Sequence, residues 1–389
     1  MPQKDNSILM LCLVVLVTTM GAGIVAPLLP GYATRLGANS VQVGSIFASF
    51  SFSRSIFVPL FGRLSDMWGR MPFILSGLFL YALVSFLYLL GKEVGHLVLI
   101  RFGQGLASAM VLPVAIALAA DISKEKRLGR TMGLLNTSMY LGLSFGPIMG
   151  GILEERYGMP SVFMTMGAFA LVAFFICAAI PWPPLTRADF KGSYHKSSFA
   201  LLKSRDMAIT FIFRLTYTMA IGILWAFLPL YAQREVGLPS SKVGLVVTIN
   251  VFVAGCLQVP MGTLSDRIKR GYLIVLGGLL SVIGLWGLKR AHSFWELFGY
   301  NALIGTGGGI SMPALMAMVA EEGRRHSASG FAMGINTFSH SFGMLIGPLL
   351  GGLILDLYGF GGIFFFSMVL NLFGISVIVL ALKGDMYKG

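Results

Sequence analysis

The sequence predicts an all-α integral membrane protein with twelve transmembrane helices in two pseudo-symmetric six-helix bundles, and three observations carry that reading. The first is composition. Of 389 residues 56% are hydrophobic and only 12% charged, and mean hydropathy is +0.81; a soluble domain of this length could not cover its surface with so few charges. The second is that apolar blocks of about twenty residues recur along the whole chain, each long enough to cross a hydrocarbon core of ~30 Å at ~1.5 Å per residue. The third is internal repetition. Gly62-Arg63-Leu64-Ser65-Asp66 returns as Gly262-Thr263-Leu264-Ser265-Asp266. Gly44 pairs with Gly244, Gly105 with Gly305 and Pro113 with Pro313 at the same offset, and after a one-residue slip Gly146-Pro147 matches Gly347-Pro348 and Tyr157-Gly158 matches Tyr358-Gly359. Two similar halves in a membrane chain imply two bundles able to rock against each other about a central site.

The spans are drawn roughly over 8–30, 42–61, 72–91, 95–119, 131–153, 160–181, 208–231, 241–261, 272–289, 294–319, 329–354 and 360–382. The first apolar block, from Ile8, has no small-residue cleavage site and continues to Pro27 and Pro30, so it reads as a span and not as a removed signal peptide. The longest polar stretch, 183–206, holds Arg187, Lys191, Lys196, Lys203 and Arg205; it reads as a cytoplasmic linker lying on anionic headgroups, between an N-terminal bundle over 1–182 and a C-terminal bundle over 207–389. With the N-terminus inside, cytoplasmic segments hold 19 Lys and Arg and outer loops 7, with Arg54, Arg101 and Arg214 inside spans. That bias orients the chain with both termini in the cytoplasm.

The same distribution explains the net charge of +13 without nucleic acid as a partner. The three cysteines, Cys12, Cys177 and Cys256, lie in apolar segments and are too scattered for a disulfide framework or a metal site. No phosphate-binding loop, His/Glu metal cluster, paired intramembrane carboxylates or activated Ser or Cys is present, which excludes direct ATP drive and argues against an enzyme.

Around Gly62 the chain reads Gly62-Arg63-Leu64-Ser65-Asp66-Met67-Trp68-Gly69-Arg70-Met71. This resembles the inner-loop signature of the major facilitator superfamily, Gly-x-Leu-Ala-Asp-Arg-x-Gly-Arg-Lys. The resemblance implies the superfamily fold and a gating role for Gly62, Asp66, Gly69 and Arg70 as a latch on the outward-open state. Met67 stands where a basic residue is usual. The second copy, with Asp266 and Arg267 as its gating residues, lacks the second glycine. Arg101-Phe102-Gly103-Gln104-Gly105 is similar to the Arg-x-x-Gln-Gly signature of the same superfamily, which implies coupling or gating by Arg101 and Gln104. A cation inside a span is costly unless it has partners or meets water, which independently marks Arg101. Gly142, Gly146-Pro147 and Gly150-Gly151, repeated as Gly343, Gly347-Pro348 and Gly351-Gly352, resemble the proline–glycine signature of the drug:proton antiporter branch. Span 1 ends in Gly23-Ile24-Val25-Ala26-Pro27-Leu28-Leu29-Pro30, also similar to that branch. Small residues let helices approach and proline removes a backbone bond, so Gly146, Pro147, Gly347 and Pro348 are read as gating elements.

What these resemblances imply is a secondary active transporter: an alternating-access efflux carrier for amphipathic small molecules or drugs, proton-coupled, with no cofactor beyond the proton gradient. They imply a monomer in a bacterial inner (plasma) membrane, with the bilayer and the cargo as its partners. In that fold spans 1, 4, 7 and 10 line the cavity. Mid-membrane polar residues then become the substrate-binding candidates: Arg54, Arg214, Asn136, Tyr140, Asn250, Gln258, Asn336 and His340, with Tyr217 and Trp225 among the aromatics. Embedded guanidiniums without an embedded carboxylate favour an anionic or zwitterionic cargo, so the alternative is a carrier or flippase for organic anions or lipid-like molecules. His340 is the one histidine deep inside a span, His96 standing at the outer edge of span 4, and an imidazole titrates near neutrality. Asp121, at the inner end of span 4, is placed to exchange partners with the Asp66–Arg70 cluster; both residues are coupling candidates. A transport-like sensor or membrane enzyme is a remote alternative.

Overall fold

The computed structural model describes residues 2–123, 128–179, 201–326 and 328–386. Among the described residues every element is helical. In chain order these are α1 (Pro2–Val25), α2 (Leu29–Arg35), α3 (Ser40–Trp68), α4 (Arg70–Leu87, continued by a 3₁₀ turn to Leu90), α5 (Val94–Ile122), α6 (Leu128–Tyr157) and α7 (Met159–Ala179). They continue as α8 (Arg205–Arg234), α9 (Ser240–Ser265), α10 (Arg270–Leu288), α11 (Phe294–Arg325) and α12 (Ser329–Met386). Ten helices are long and apolar enough to cross a membrane. One of them, α12, is long enough for two drawn spans and breaks its helical geometry at Gly359 (φ 68°). The 30 residues of α6 have the length, but their glycines and acidic end leave them less apolar than the rest. Span 1 is divided into α1 and α2 where Pro27 and Pro30 remove successive backbone donors. Of the linker drawn over 183–206, residues 183–200 lie outside the described residues; Leu201–Lys203 form a 3₁₀ turn, and α8 begins at Arg205.

Two compact units emerge. One comprises Met1–Ala38, Ser45–Phe190 and Gly237–Thr248; the other comprises Asn39–Gly44, Lys191–Val236 and Ile249–Gly389. Each has its own core. In the first, Leu11, Val14, Ile74, Leu78, Val114 and Leu118 from α1, α4 and α5 are fully buried together. In the second, Phe213, Ile274, Ala314, Leu315 and Ile378 from α8, α10, α11 and α12 play the same part. Large apolar side chains such as Leu90, Leu99, Phe175 and Leu380 stay exposed, far more than a water-facing surface tolerates and what a lipid-facing one requires.

The repetition read from the sequence is also written into the backbone. Gly37 and Gly237 both take positive φ, 87° and 68°, at matching turns, and so do Gly158 and Gly359, at 76° and 68°. Prolines recur inside helices as Pro59 and Pro260, Pro113 and Pro313, and Pro147 and Pro348. The inner turns differ: Gly69 reaches φ 97° between α3 and α4, whereas Lys269 turns the second copy at φ −54°. A lysine is comfortable there because no left-handed geometry is asked of it. Helix starts are capped where sequence permits. Ser293 and Glu296 form a capping box on α11, and the Ser204 hydroxyl accepts from the Met207 amide at 3.3 Å on α8.

Candidate functional site: buried polar clusters of the two units

The first cluster begins with a glycine. A Cβ on Gly105 would lie 2.5 Å from the Phe50 carbonyl oxygen and 2.9 Å from Ser53 Cβ, so only glycine lets α3 lie this closely on α5. That approach brings Phe47 and Phe50 over Arg101, whose Cζ stands 5.3 and 5.2 Å from the two ring centroids. Arg101 is 5% exposed. It donates from Nη1 to Gln104 Oε1 at 2.7 Å, and that same oxygen accepts from the Tyr88 hydroxyl at 3.2 Å. Gln104 Nε2 donates to the Tyr81 hydroxyl at 3.0 Å and meets Met166 Sδ at 3.2 Å. A charge-assisted hydrogen bond contributes about 1.5–3 kcal/mol and each cation–π contact about 0.5–2 kcal/mol, together enough to hold a guanidinium away from bulk water. Arg54 joins the cluster from α3, its Cζ 5.9 Å from the Phe50 centroid. Three sequence-predicted residues, Arg54, Arg101 and Gln104, thus converge. On α6, Asn136 is exposed and Tyr140 half-buried.

At the inner end of the same unit Arg70, at the start of α4, pairs with Asp66 at the end of α3 across the Gly69 turn and with Asp121 at 3.0 Å, while its Nη1 donates to Ser65 Oγ at 2.9 Å. Asp66, Arg70 and Asp121 therefore form one cluster, and nothing within 4 Å would oppose a Cβ on Gly62 beside it. In the second unit Arg270 pairs with Glu321, which also takes Arg325 at 2.8 Å. Asp266 and Arg267, the gating candidates of this copy, are exposed. Glu322 is 7% exposed and accepts from Ser204 Oγ at 2.5 Å, with Arg325 and His326 at 3.6 and 3.4 Å.

The remaining candidates of the second unit are spread along α8, α9 and α12. Arg214 donates to Met312 Sδ, and Asn336 Nδ2 donates to Met316 Sδ at 3.3 Å, one turn further along α11. Tyr217 sets its hydroxyl against Gly308, where a Cβ would collide with it. Asn250 Nδ2 reaches the carbonyl oxygen and Oδ1 of Asn301 at 3.1 and 3.2 Å. Trp225, Gln258 and His340 are half-buried. Asn336 is only 3% exposed.

The proline–glycine elements form a backbone seam in each unit. A Cβ on Gly146 would stand 2.6 Å from the Met20 carbonyl oxygen and 2.8 Å from Gly23 Cα, and Gly142 and Gly150 meet α1 in the same way. Gly347 packs on Met219 and Gly343 on Thr218 of α8, and a Cβ on Gly222 would lie 3.0 Å from the Pro348 ring. Pro147 and Pro348 are buried within these seams.

A family model described as the Major Facilitator Superfamily matches residues 11–215 and again 210–387. The chain belongs to that superfamily. It is a membrane-embedded transporter of small molecules and not an enzyme. It is 29% identical over 381 residues to the MFS-type transporter MJ1560 of Methanocaldococcus jannaschii, covering 96% of this chain and 97% of the relative. It is 25% identical over 386 residues to Multidrug resistance protein 1 of Bacillus subtilis, covering 97% of each. The crystal structure of the nucleoside transporter NupG, solved as a point mutant, superimposes with a TM-score of 0.81 at 14% identity, over 98% of this chain and 99% of that one, which speaks to the fold.

Superfamily motifs located Arg101, Gln104, Asp66 and Arg70, but not Tyr81, Tyr88, Phe47, Met166 or Glu321. Two signals for these were present. Tyr81 and Tyr88 stand seven residues apart on one helical face, and Glu321 follows Asp121 at the repeat offset.

Proposed function

We propose that this superfamily member is an alternating-access exporter of amphipathic small molecules, driven by inward proton flow, in a bacterial plasma membrane with both termini cytoplasmic. One observation carries the reading: the glycine–proline seam, present once in each half as α6 on α1 and α12 on α8, is the element that marks the drug:proton antiporter branch. Backbone-to-backbone seams bind each pair of helices into a stiff body, which suits a cycle in which whole bundles swing. The name of the Bacillus subtilis relative, a multidrug resistance protein, supports an amphipathic cargo. Arg101 and Gln104 in the first unit, Asp121 at its inner end and His340 on α12 are the groups proposed to link proton and cargo.

Proteoliposomes with an imposed pH gradient test this. Ethidium and other amphiphiles should move against their gradients with a stoichiometric proton flux, and His340→Ala or Arg101→Ala should abolish that flux. Movement that is indifferent to the pH gradient in the unaltered chain refutes proton drive; no movement of any amphiphile refutes export.

A further inference from the structure

Two cations share one aromatic ring in the first unit. The guanidinium carbons of Arg54 and Arg101 stand 5.9 and 5.2 Å from the Phe50 centroid, which caps their separation at about 11 Å. Among the described residues no Asp or Glu pairs with either. Arg101 is more than nine-tenths buried, and its Nε, with a proton to donate, has no hydrogen-bond partner. Buried donors are nearly always satisfied, so an orphaned guanidinium nitrogen marks a place for an acceptor that the chain itself does not provide. Tyr81, 2% exposed, is tied to the cluster through its hydroxyl, which accepts from Gln104 Nε2 at 3.0 Å.

Structure alone does not require these charges, and the chain demonstrates it. At the repeat offset of two hundred residues the same helix contact is made by Gly305, whose Cβ would lie 2.8 Å from Asn250 Cα, just as Gly105 meets Phe50. There Arg101 is replaced by Asn301, Gln104 by Ile304, Phe50 by Asn250, Arg54 by Ala254 and Tyr81 by Ser281. Asn250 Nδ2 donates to Asn301 Oδ1 at 3.2 Å, with no cation among these repeat equivalents. Thus the same backbone crossing is built in one unit with neutral amides and in the other with two guanidiniums stacked on a phenylalanine. At this crossing the cost of sinking positive charge into a membrane bundle is borne in one copy only.

We infer that Arg54 and Arg101, gathered around Phe50, with Tyr81 joined to them through Gln104, form an anion subsite that takes the carboxylate of an amphipathic cargo. Arg54, half-buried, receives the headgroup, and Arg101 completes its coordination through the nitrogen now lacking an acceptor. Phe50 and Phe47 pack the adjoining hydrocarbon. The planar guanidinium fork matches two carboxylate oxygens, which a quaternary ammonium cannot use and a neutral ester uses poorly. This assignment of the cargo's charge rests on the proposal that amphiphiles are carried at all.

The test uses the full chain in neutral detergent, with three fluorescent probes of one skeleton: 1-pyrenebutyrate, its methyl ester, and 1-pyrenebutyl-trimethylammonium. The unaltered protein should bind the carboxylate at least about tenfold more tightly than the ester or the ammonium. Arg54→Gln and Arg101→Asn, the latter borrowing the side chain of the second unit, should each remove that preference while leaving ester binding within about twofold. Equal affinity for acid and ester in the unaltered chain overturns the inference, as does unchanged acid affinity in Arg54→Gln. The Arg54 variant decides the matter should Arg101→Asn fold poorly, because Arg54 is only half-buried whereas Arg101 is 5% exposed. Proteoliposomes keep the two proposals apart. Gradient-driven ethidium efflux alongside arginine-independent carboxylate binding removes the anion subsite alone; arginine-dependent carboxylate binding without movement of any probe removes export alone.

Discussion

Replacing Gln104 with leucine should destabilise the first unit, and then removing the Arg101 charge should restore much of the loss. Gln104 is fully buried and serves Arg101, Tyr88 and Tyr81 at 2.7, 3.2 and 3.0 Å. Leucine fills a similar volume, so the cavity contribution is small. The hydrogen bond to the guanidinium contributes about 1.5–3 kcal/mol, whereas the two phenol contacts, judged by the ~0.6 kcal/mol average of membrane helix pairs, contribute roughly 1 kcal/mol together. The single variant should therefore lose about 3 kcal/mol, most of it from stranding a buried cation whose Nε already has no acceptor. Adding Arg101→Met removes the stranded charge. The double variant then approximates the Asn301 and Ile304 arrangement that the second unit sustains without charge, and it should recover at least half the loss. Reversible unfolding of the four proteins of the cycle in mixed micelles measures this. A double variant as unstable as the sum of the two singles would show that Gln104 and Arg101 are not coupled, and the reasoning about a costly orphaned cation would fail.

Gly146→Val should cost about 2–4 kcal/mol and lower the yield of folded protein, since its side chain must enter the α1 backbone, while Gly133→Ala, with nothing within 4 Å, should be neutral; thermal unfolding in detergent compares them. Asp66→Asn should destabilise by about 1 kcal/mol and Asp121→Asn by less, because the Asp121 carboxylate is 40% exposed against 17% for Asp66 and is screened accordingly. Raising salt to molar concentration should erase the Asp121 effect before the Asp66 effect in the same assay.

Much of the architecture was legible from residues alone, because repetition is a property of order along the chain. The offset that aligns Gly62 with Gly262 also aligns Gly37 with Gly237, whose shared positive φ is a backbone fact. Most drawn spans coincide with one helix each, but the first is divided at Pro27 and Pro30, the last two share α12, and α6 is less apolar than the other long helices. Site residues were harder for a physical reason. In a soluble helix polarity separates buried from exposed faces, but in a bilayer both the core and the lipid face are apolar, so burial leaves no periodic mark. Asn336 and Asn136 illustrate it: depth along the span treats them alike, but Asn336 is buried against Met316 and Asn136 is exposed. Partners contributed by separate helices, such as Tyr81 for Gln104, depend on helix rotation, which a motif does not encode. Glu321 was within reach, since it repeats Asp121, and the repeat of its basic partner Arg270 was already in view.

Between α6 and α7 there is only Gly158, and within α12 the two arms meet at Gly359, each glycine turning the chain through a positive φ without a loop. Such a joint has no slack. When one arm tilts, the other must follow like the second limb of a crank. Epitope tags or spacer residues inserted at either elbow should uncouple the arms and stall the cycle even in a protein that folds, whereas the same insertion after Gly91, between α4 and α5, should be absorbed.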